Sequence, residues 1–233
     1  MKVTALFISD VHLGSKGSQA KEVLRLLKKY EPKNLFIVGD FIDGWLLKKR
    51  HYWTQDFTNV IRKVLSLSKN GTKVYYITGN HDDFLREYSP TKFGNIEIVD
   101  EMVWKNFYIS HGDLYDGVVK LKWLGVLGSI GYEIAIWIDS ILRRFGMKRS
   151  LSSYLKKKVK GAVKFITSFE KQLAYQALSN NCQGVVTGHI HTPEDKIINI
   201  KNKDIRYLNT GDWIENTSYV IYNKGKWKLK NKL

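Results

Sequence analysis

Five short clusters place cation-ligating side chains directly after apolar, strand-like runs. They are Asp10 and His12 in DVH, Asp40 in GD, Asn80 and His81 in GNH, His111 in HGD, and His189 with His191 in GHIH. Imidazole supplies a neutral nitrogen, aspartate a charged oxygen able to bridge two cations, and the asparagine amide a neutral carbonyl oxygen. This mixture suits manganese, iron or zinc and disfavours the all-oxygen shells of magnesium and calcium. Two such ions ~3.5 Å apart can clamp the attacking and leaving oxygens of an in-line displacement at phosphorus, and no other chemistry uses this set so economically. Taken singly, each residue has a plainer explanation: Asp10, Asp40, Asp43 and Asn80 suit turns or helix caps, and a lone His after a strand is more often structural than a ligand. Taken together they do not, because of the six histidines only His51 lies outside the clusters. His81 adjoins Asn80 and is followed by Asp82, which could orient the ring and raise its basicity as a general acid requires; phosphate binding is the plainer role. Asp43 and Asp113 are expected to fix ligand histidines or loop geometry from behind.

The elements that must position these residues follow from hydrophobic periodicity. TALFIS, LFIV and VYYIT predict three buried strands, each ending at a cluster. Between them, Ala20, Val23, Leu24 and Leu27 recur at helical spacing from Gln19 to Tyr30, with Pro32 expected to stop that helix. A second helix is expected from about Trp53 to Lys69, closed by Asn70 and Gly71. Strand, helix and strand in alternation imply a parallel α/β core whose strand ends converge on one edge. IEIVD, MVWKN, FYISHGD, GVVTGHIH, IINI, IRYLNTGDW, TSYVIYN and KWKL predict further strands. A mostly helical insertion interrupts them at about residues 114–180, within a single domain spanning 1–233.

Composition narrows the partners. The chain has 233 residues, 43% hydrophobic and 26% charged, enough for a full core. No secretory segment is expected, because the first apolar run leads straight into Ser9 and Asp10, and the expected compartment is the cytoplasm. A single cysteine, Cys182, excludes an intramolecular disulfide and a cysteine metal cluster. The net charge of +16 implies affinity for polyanions: nucleic acid, anionic lipid or a phosphorylated substrate. Residues 114–169 hold eleven Lys or Arg against three acidic residues, a net of +8. Residues 123–138 are strongly apolar, but Glu133 and three glycines in so short a segment fall below what a spanning helix needs. A buried or cap-forming helix is expected there, with a helix lying on a membrane face or lining an apolar substrate groove as the alternative.

In order and spacing, DVH, GDFID, GNHD, HGD and GHIH resemble the motifs of the calcineurin-like metallophosphoesterase superfamily across essentially the whole chain. The resemblance implies a four-layer α/β/β/α sandwich of two mixed sheets flanked by helices. It also implies two divalent ions, Mn2+ first with Zn2+ or Fe as alternatives: one held by Asp10, His12 and His191, the other by Asn80, His111 and His189, with Asp40 bridging. FIDGWLLKKRHYW, HGDLYD, WLGVLG, SLSSYLKKKVKGAVKFITSFE and YLNTGDWIENTSYV further look like the UDP-2,3-diacylglucosamine hydrolase branch. Those are peripheral membrane enzymes of lipid A synthesis that cleave the substrate's pyrophosphate to UMP and a diacylglucosamine 1-phosphate. By that likeness the chain would act on a lipid-linked nucleotide or related phosphorylated substrate, at an anionic surface on the inner face of the cell membrane. Established members carry Arg where this chain has His81; Arg clamps a phosphate as a fixed fork, whereas His can give or withhold a proton. Trp45, Arg50, His51 and Tyr52 follow the bridging loop and are candidate substrate contacts, with a packed aromatic cluster the equal alternative for Trp45 and Tyr52. The GDxxDRG arginine of protein phosphatases is absent, Trp45 following the glycine instead. The alternatives are another small phosphodiesterase and a nuclease, the latter disfavoured because the basic residues are interleaved with aliphatics rather than stacking aromatics. A non-catalytic membrane scaffold is disfavoured by seven intact ligand positions. The faces of the insertion could pair subunits as readily as touch lipid.

Overall fold

The computed structural model describes residues 1–115 and 151–231. The parallel heart of the first sheet is β1 (Lys2–Ile8), β2 (Glu31–Val38), β3 (Lys73–Ile77) and β5 (Ile96–Val99), side by side in that order. β4 (Thr91–Phe93) closes one edge, and antiparallel β11 (Ser218–Asn223) and β12 (Lys226–Asn231) extend the other to seven strands. The second sheet has five strands, in the order β6 (Glu101–Trp104), β7 (Phe107–Ser110), β8 (Gly184–Thr187), β10 (Lys203–Asn209) and β9 (Glu194–Ile200). Its β7, β8 and β10 are parallel.

Strand alternation sorts the core into two layers. In β1 and β2, Ala5, Phe7, Phe36 and Val38 join Phe107, Ile109, Val186 and Leu208 of the second sheet in one apolar cluster, so the sheets pack face to face. Their neighbours Leu6, Ile8, Leu35 and Ile37 turn the other way, onto α1 (Ala20–Lys29) and α3 (Gln55–Lys69). On the far face of the second sheet Tyr108, Val185 and Tyr207 are fully buried, as are Leu173, Ala174 and Ala177 of α4 (Leu151–Ser179). The result is the expected α/β/β/α order of layers.

Two local expectations are corrected. α1 ends at Lys29, where Tyr30 turns extended, and Pro32 lies inside β2 beside Val3 rather than acting as the stop. In α1 the buried stripe is Ala20, Val23, Leu26 and Leu27, with Leu24 only half-buried. A short helix, α2 (Gly44–Lys49), was not foreseen; six residues are too few for a periodic signal, and it is started by Asp43, whose side chain accepts from the Leu46 N–H at 2.9 Å.

Contacts divide the chain into two compact units, Met1–Asp113 with Lys171–Leu233, and Leu114–Glu170. The first contains both sheets and every residue of the five clusters. Of the second, α4 is helical as the pattern implies, while residues 123–138 and the basic run before α4 lie outside the described residues. Among the described residues no helix is long and apolar enough to cross a membrane.

Candidate metal centre

Each cluster occupies the loop at the C-terminal end of a strand: Asp10 and His12 after β1, Asp40 after β2, Asn80 and His81 after β3, His111 after β7, His189 and His191 after β8. Because β1, β2 and β3 run parallel in one sheet and β7 and β8 in the other, both sheets deliver these loops to one edge of the sandwich. The approach is too close for side chains in the intervening positions. A Cβ on Gly188 would stand 2.4 Å from Asp10 Oδ2, and one on Gly39, already at φ +79°, would stand 2.3 Å from the His111 ring. Five of the seven proposed ligands, Asp10, His12, Asp40, His189 and His191, have φ between 50° and 70°. That left-handed region is uncommon for side-chain-bearing residues and collects at functional sites.

Asp40 is central. Its Oδ1 accepts the His81 N–H at 2.7 Å, while Oδ2 lies 3.2 Å from His111 Nε2 and 3.9 Å from His12 Nε2. Asp10 uses Oδ2 to accept the His189 N–H at 3.1 Å and presents Oδ1 to His191 Nε2 at 3.1 Å and His12 Nε2 at 3.9 Å. His12 Nε2 and His191 Nε2 are 3.4 Å apart. Backing contacts aim the rings. His111 Nδ1 lies 2.8 Å from the Val38 carbonyl, which can only accept, so Nδ1 carries a proton and Nε2 is the nitrogen turned toward the site, open to a cation once its own proton is displaced. His12 is turned the same way by Asp43, 3.3 Å from its Nδ1.

Buried polar atoms normally have partners, and among the described residues five side-chain atoms lack a hydrogen bond: Asp10 Oδ1, Asn80 Oδ1 and His111 Nε2 on proposed ligands, together with His81 Nδ1 and Trp213 Nε1. The three on proposed ligands can each offer a lone pair, which is what a cation would satisfy. Three groups of side chains have ligand atoms within 4.8 Å of one another: Asp10, His12 and His191; Asp40, His111 and His189; and His12, Asp43 and His81. The first two contain the His and Asp residues of the two proposed ion positions; Asn80, the remaining proposed ligand, lies on the loop after β3. The third is better read as one carboxylate held between two imidazoles, because it meets His12 through Nδ1, the nitrogen turned away from Asp10.

Without cations the histidines neutralise the carboxylates. Burial works against ionisation of Asp10 and Asp40, but the adjacent imidazoles outweigh it and hold both carboxyls below their usual range. Burial likewise opposes charge on His191, yet Asp10 lifts its pKa to about 9; His111 is raised well above the ordinary value, chiefly by Asp40 and Asp10 against the same opposition.

The remaining sequence expectations fare unevenly. Asp82 does not orient His81: fully buried, it accepts from Gly79 N–H at 2.6 Å, Phe41 N–H at 2.9 Å and the Tyr76 hydroxyl at 2.6 Å, which exhausts its good geometry. The residue beside the His81 ring is Asp43, with Oδ1 3.1 Å from Nδ1. Trp45 packs against the same ring, centroids 4.2 Å apart. Tyr52 faces Phe57 and the helical core layer, so it is a packing residue, and Arg50 and His51 lie on the exposed turn after α2. Asp113 takes a bidentate bond from Arg86 at 2.8 and 2.9 Å; Arg86 also donates to Thr78 Oγ1, a link between loops that no local motif announced.

The sequence model of the calcineurin-like phosphoesterase family matches residues 3–193, which include all seven candidate positions. The UDP-2,3-diacylglucosamine hydrolase of Porphyromonas gingivalis is 26% identical over 255 aligned residues, covering 96% of this chain and 95% of that protein. The protein of the same name from Vibrio parahaemolyticus is also 26% identical, covering 99% and 98%. Among solved structures, a dimetal phosphatase from Danio rerio is similar at 11% identity and TM-score 0.48, covering 98% of this chain and 95% of that one. With a family match across most of its length and the motif residues gathered at one edge, the chain belongs to the calcineurin-like phosphoesterase family.

Proposed function

We propose that this chain is a two-metal phosphohydrolase that cleaves the pyrophosphate of UDP-2,3-diacylglucosamine or a related lipid-linked substrate. The observation that carries the chemistry is Asp40 Oδ2, placed among His111, His12 and His81 at 3.2, 3.9 and 4.0 Å, with unpartnered ligand atoms around it. Asp10, His12 and His191 would hold one divalent ion and Asn80, His111 and His189 the other, with Asp40 shared; Mn2+ is the first candidate and Zn2+ or Fe the alternatives. Such ions, when bound, polarise a phosphoryl oxygen and make water acidic enough to ionise near neutral pH.

The protein's own part is positioning and proton transfer. Asp43 holds His81 by Nδ1 and His12 by Nδ1, so one carboxylate orients both a proposed ligand and the proposed acid. Trp45 limits rotation of the His81 ring. As the bond from phosphorus to the leaving oxygen breaks, His81 would give that oxygen its Nε2 proton, and the attacking water would lose one to solvent, leaving two phosphate products. Burial opposes charging of His81, but the bond to Asp43 and the charges of Asp40 and Asp43 raise its pKa, so the ring favours the proton-bearing form.

The lipid-linked substrate is supported by the names of the full-length relatives and by the net charge of +16, which suits an enzyme meeting acyl chains at an anionic membrane face. Hydrolysis of UDP-2,3-diacylglucosamine, bis(p-nitrophenyl) phosphate and single-stranded DNA by the Mn2+-loaded protein in detergent tests it. Preferential UMP release is expected. Turnover of the generic diester alone would retain the two-metal chemistry and sink the substrate, and preferential cleavage of DNA would make the chain a nuclease.

A further inference from the structure

The loop between β10 and β11 contributes none of the proposed ligands, yet it is bonded to both loops that bear the Asp10, His12 and His191 group. The backbone N–H of Trp213 donates to the Asp10 carbonyl at 3.0 Å. The Asn216 side-chain amide donates to the His191 carbonyl at 2.9 Å. Between them lies Asp212, fully buried, whose Oδ1 accepts the backbone N–H groups of Ile214 at 2.7 Å and Glu215 at 2.6 Å. Its Oδ2 accepts the second hydrogen of the Asn216 amide. The orientation of that amide follows from chemistry: a nitrogen caught between a carbonyl and a carboxylate must be the NH2, because neither neighbour can donate.

His191 is less enclosed than the two residues it is grouped with: its side chain is 38% exposed, against 4% for His12 and 0% for Asp10. Like four other proposed ligands it lies in the left-handed region, at φ +52°, which a side-chain-bearing residue keeps only where its surroundings hold it. His111, by contrast, is fixed through its own ring by the Val38 carbonyl. We propose that Asp212 and Asn216 are positioning residues for His191: the buried carboxylate fixes the amide, and the amide fixes the backbone that aims the ring at the position shared with Asp10 and His12. This rests on the two-metal reading above.

The test is Mn2+ titration of the full-length protein, followed by electron paramagnetic resonance and by direct counting of bound ions, with melting temperature measured in parallel. The parent protein should take two ions with the spectrum of a spin-coupled pair. Asn216→Ala should leave one affinity unchanged and weaken the other roughly 10–100-fold, giving a single-ion spectrum at limiting Mn2+ and the coupled pair at excess. Asp212→Asn keeps an acceptor for the turn but sets an NH2 against the Asn216 NH2; it should weaken the same site and serves if the alanine variant does not fold. Unchanged affinity at both sites would overturn the proposal, as would equal weakening of both with a lower melting temperature. A parent protein that binds fewer than two ions would overturn the two-metal reading itself, and this proposal with it.

Discussion

His81 turns Nε2 toward Asp40 and Nδ1 toward Asp43, and it is not needed to complete either proposed ion position. Removing its ring should therefore take away a proton carrier and leave the cations. His81→Ala is expected to keep its metal content by elemental analysis while turnover falls roughly 10²–10⁴-fold; loss of metal along with activity would make His81 a structural residue. A second prediction concerns proton release. In the metal-free protein His191 titrates at about 9 and His111 well above the ordinary value, so both carry protons at pH 7 that a cation must displace. Apparent Mn2+ affinity should thus climb as pH rises from neutrality through about 9, as His191 loses its proton, and keep rising until His111 is neutral as well. Calorimetry in buffers of different ionisation enthalpy should show net proton release on binding at pH 7, and an affinity flat across this range would contradict the pairing. At this scale the residue types and their spacing disclosed the seven proposed ligands and His81, but not Asp43 as the neighbour of the His81 ring, nor Arg86, Asp212 or Asn216. Which nitrogen of each ring faces the site was not legible, because that depends on Val38 and Asp43, remote in sequence from the rings they turn.

Among elements, the strands and the two long helices of the first half were legible because each buries a face with its own period. α2 and β4 were not, being six and three residues long. The misassignment of Asp82 has the same origin: adjacency in sequence suggested His81, whereas the loop folds Asp82 inward to tie β3's own turn to the loop after β2. Asp82→Ala would leave the Tyr76 hydroxyl and two backbone N–H groups without their acceptor, at a total cost of about 3 kcal/mol. A lower urea midpoint with an unchanged slope should report that loss, together with weaker Mn2+ binding, because the same loops bear Asp40 and Asn80. A midpoint equal to that of the parent would mean that solvent replaces the carboxylate and that the tie is dispensable.

For the whole molecule, the charge of +16 is the property most plainly read from composition, and its use lies at a surface rather than in the fold. The protein should sediment with vesicles containing phosphatidylglycerol at low ionic strength and be released at about 0.5 M salt, where the screening length falls to a few ångströms. Equal sedimentation with neutral phosphatidylcholine vesicles would mean that apolar contact, not charge, drives the association. The joining of two sheets at one edge has a further consequence. Each of the two proposed ion positions draws ligands from both sheets, Asp10 and His12 with His191 in one, Asn80 and Asp40 with His111 and His189 in the other. A bound ion is then a removable cross-link. In a chain with one cysteine it would do what a disulfide does elsewhere, closing the 179-residue separation from His12 to His191. In the chain-entropy account such a closure is worth about 5 kcal/mol. The ions that would carry out the reaction would thereby also rivet the seam between the sheets.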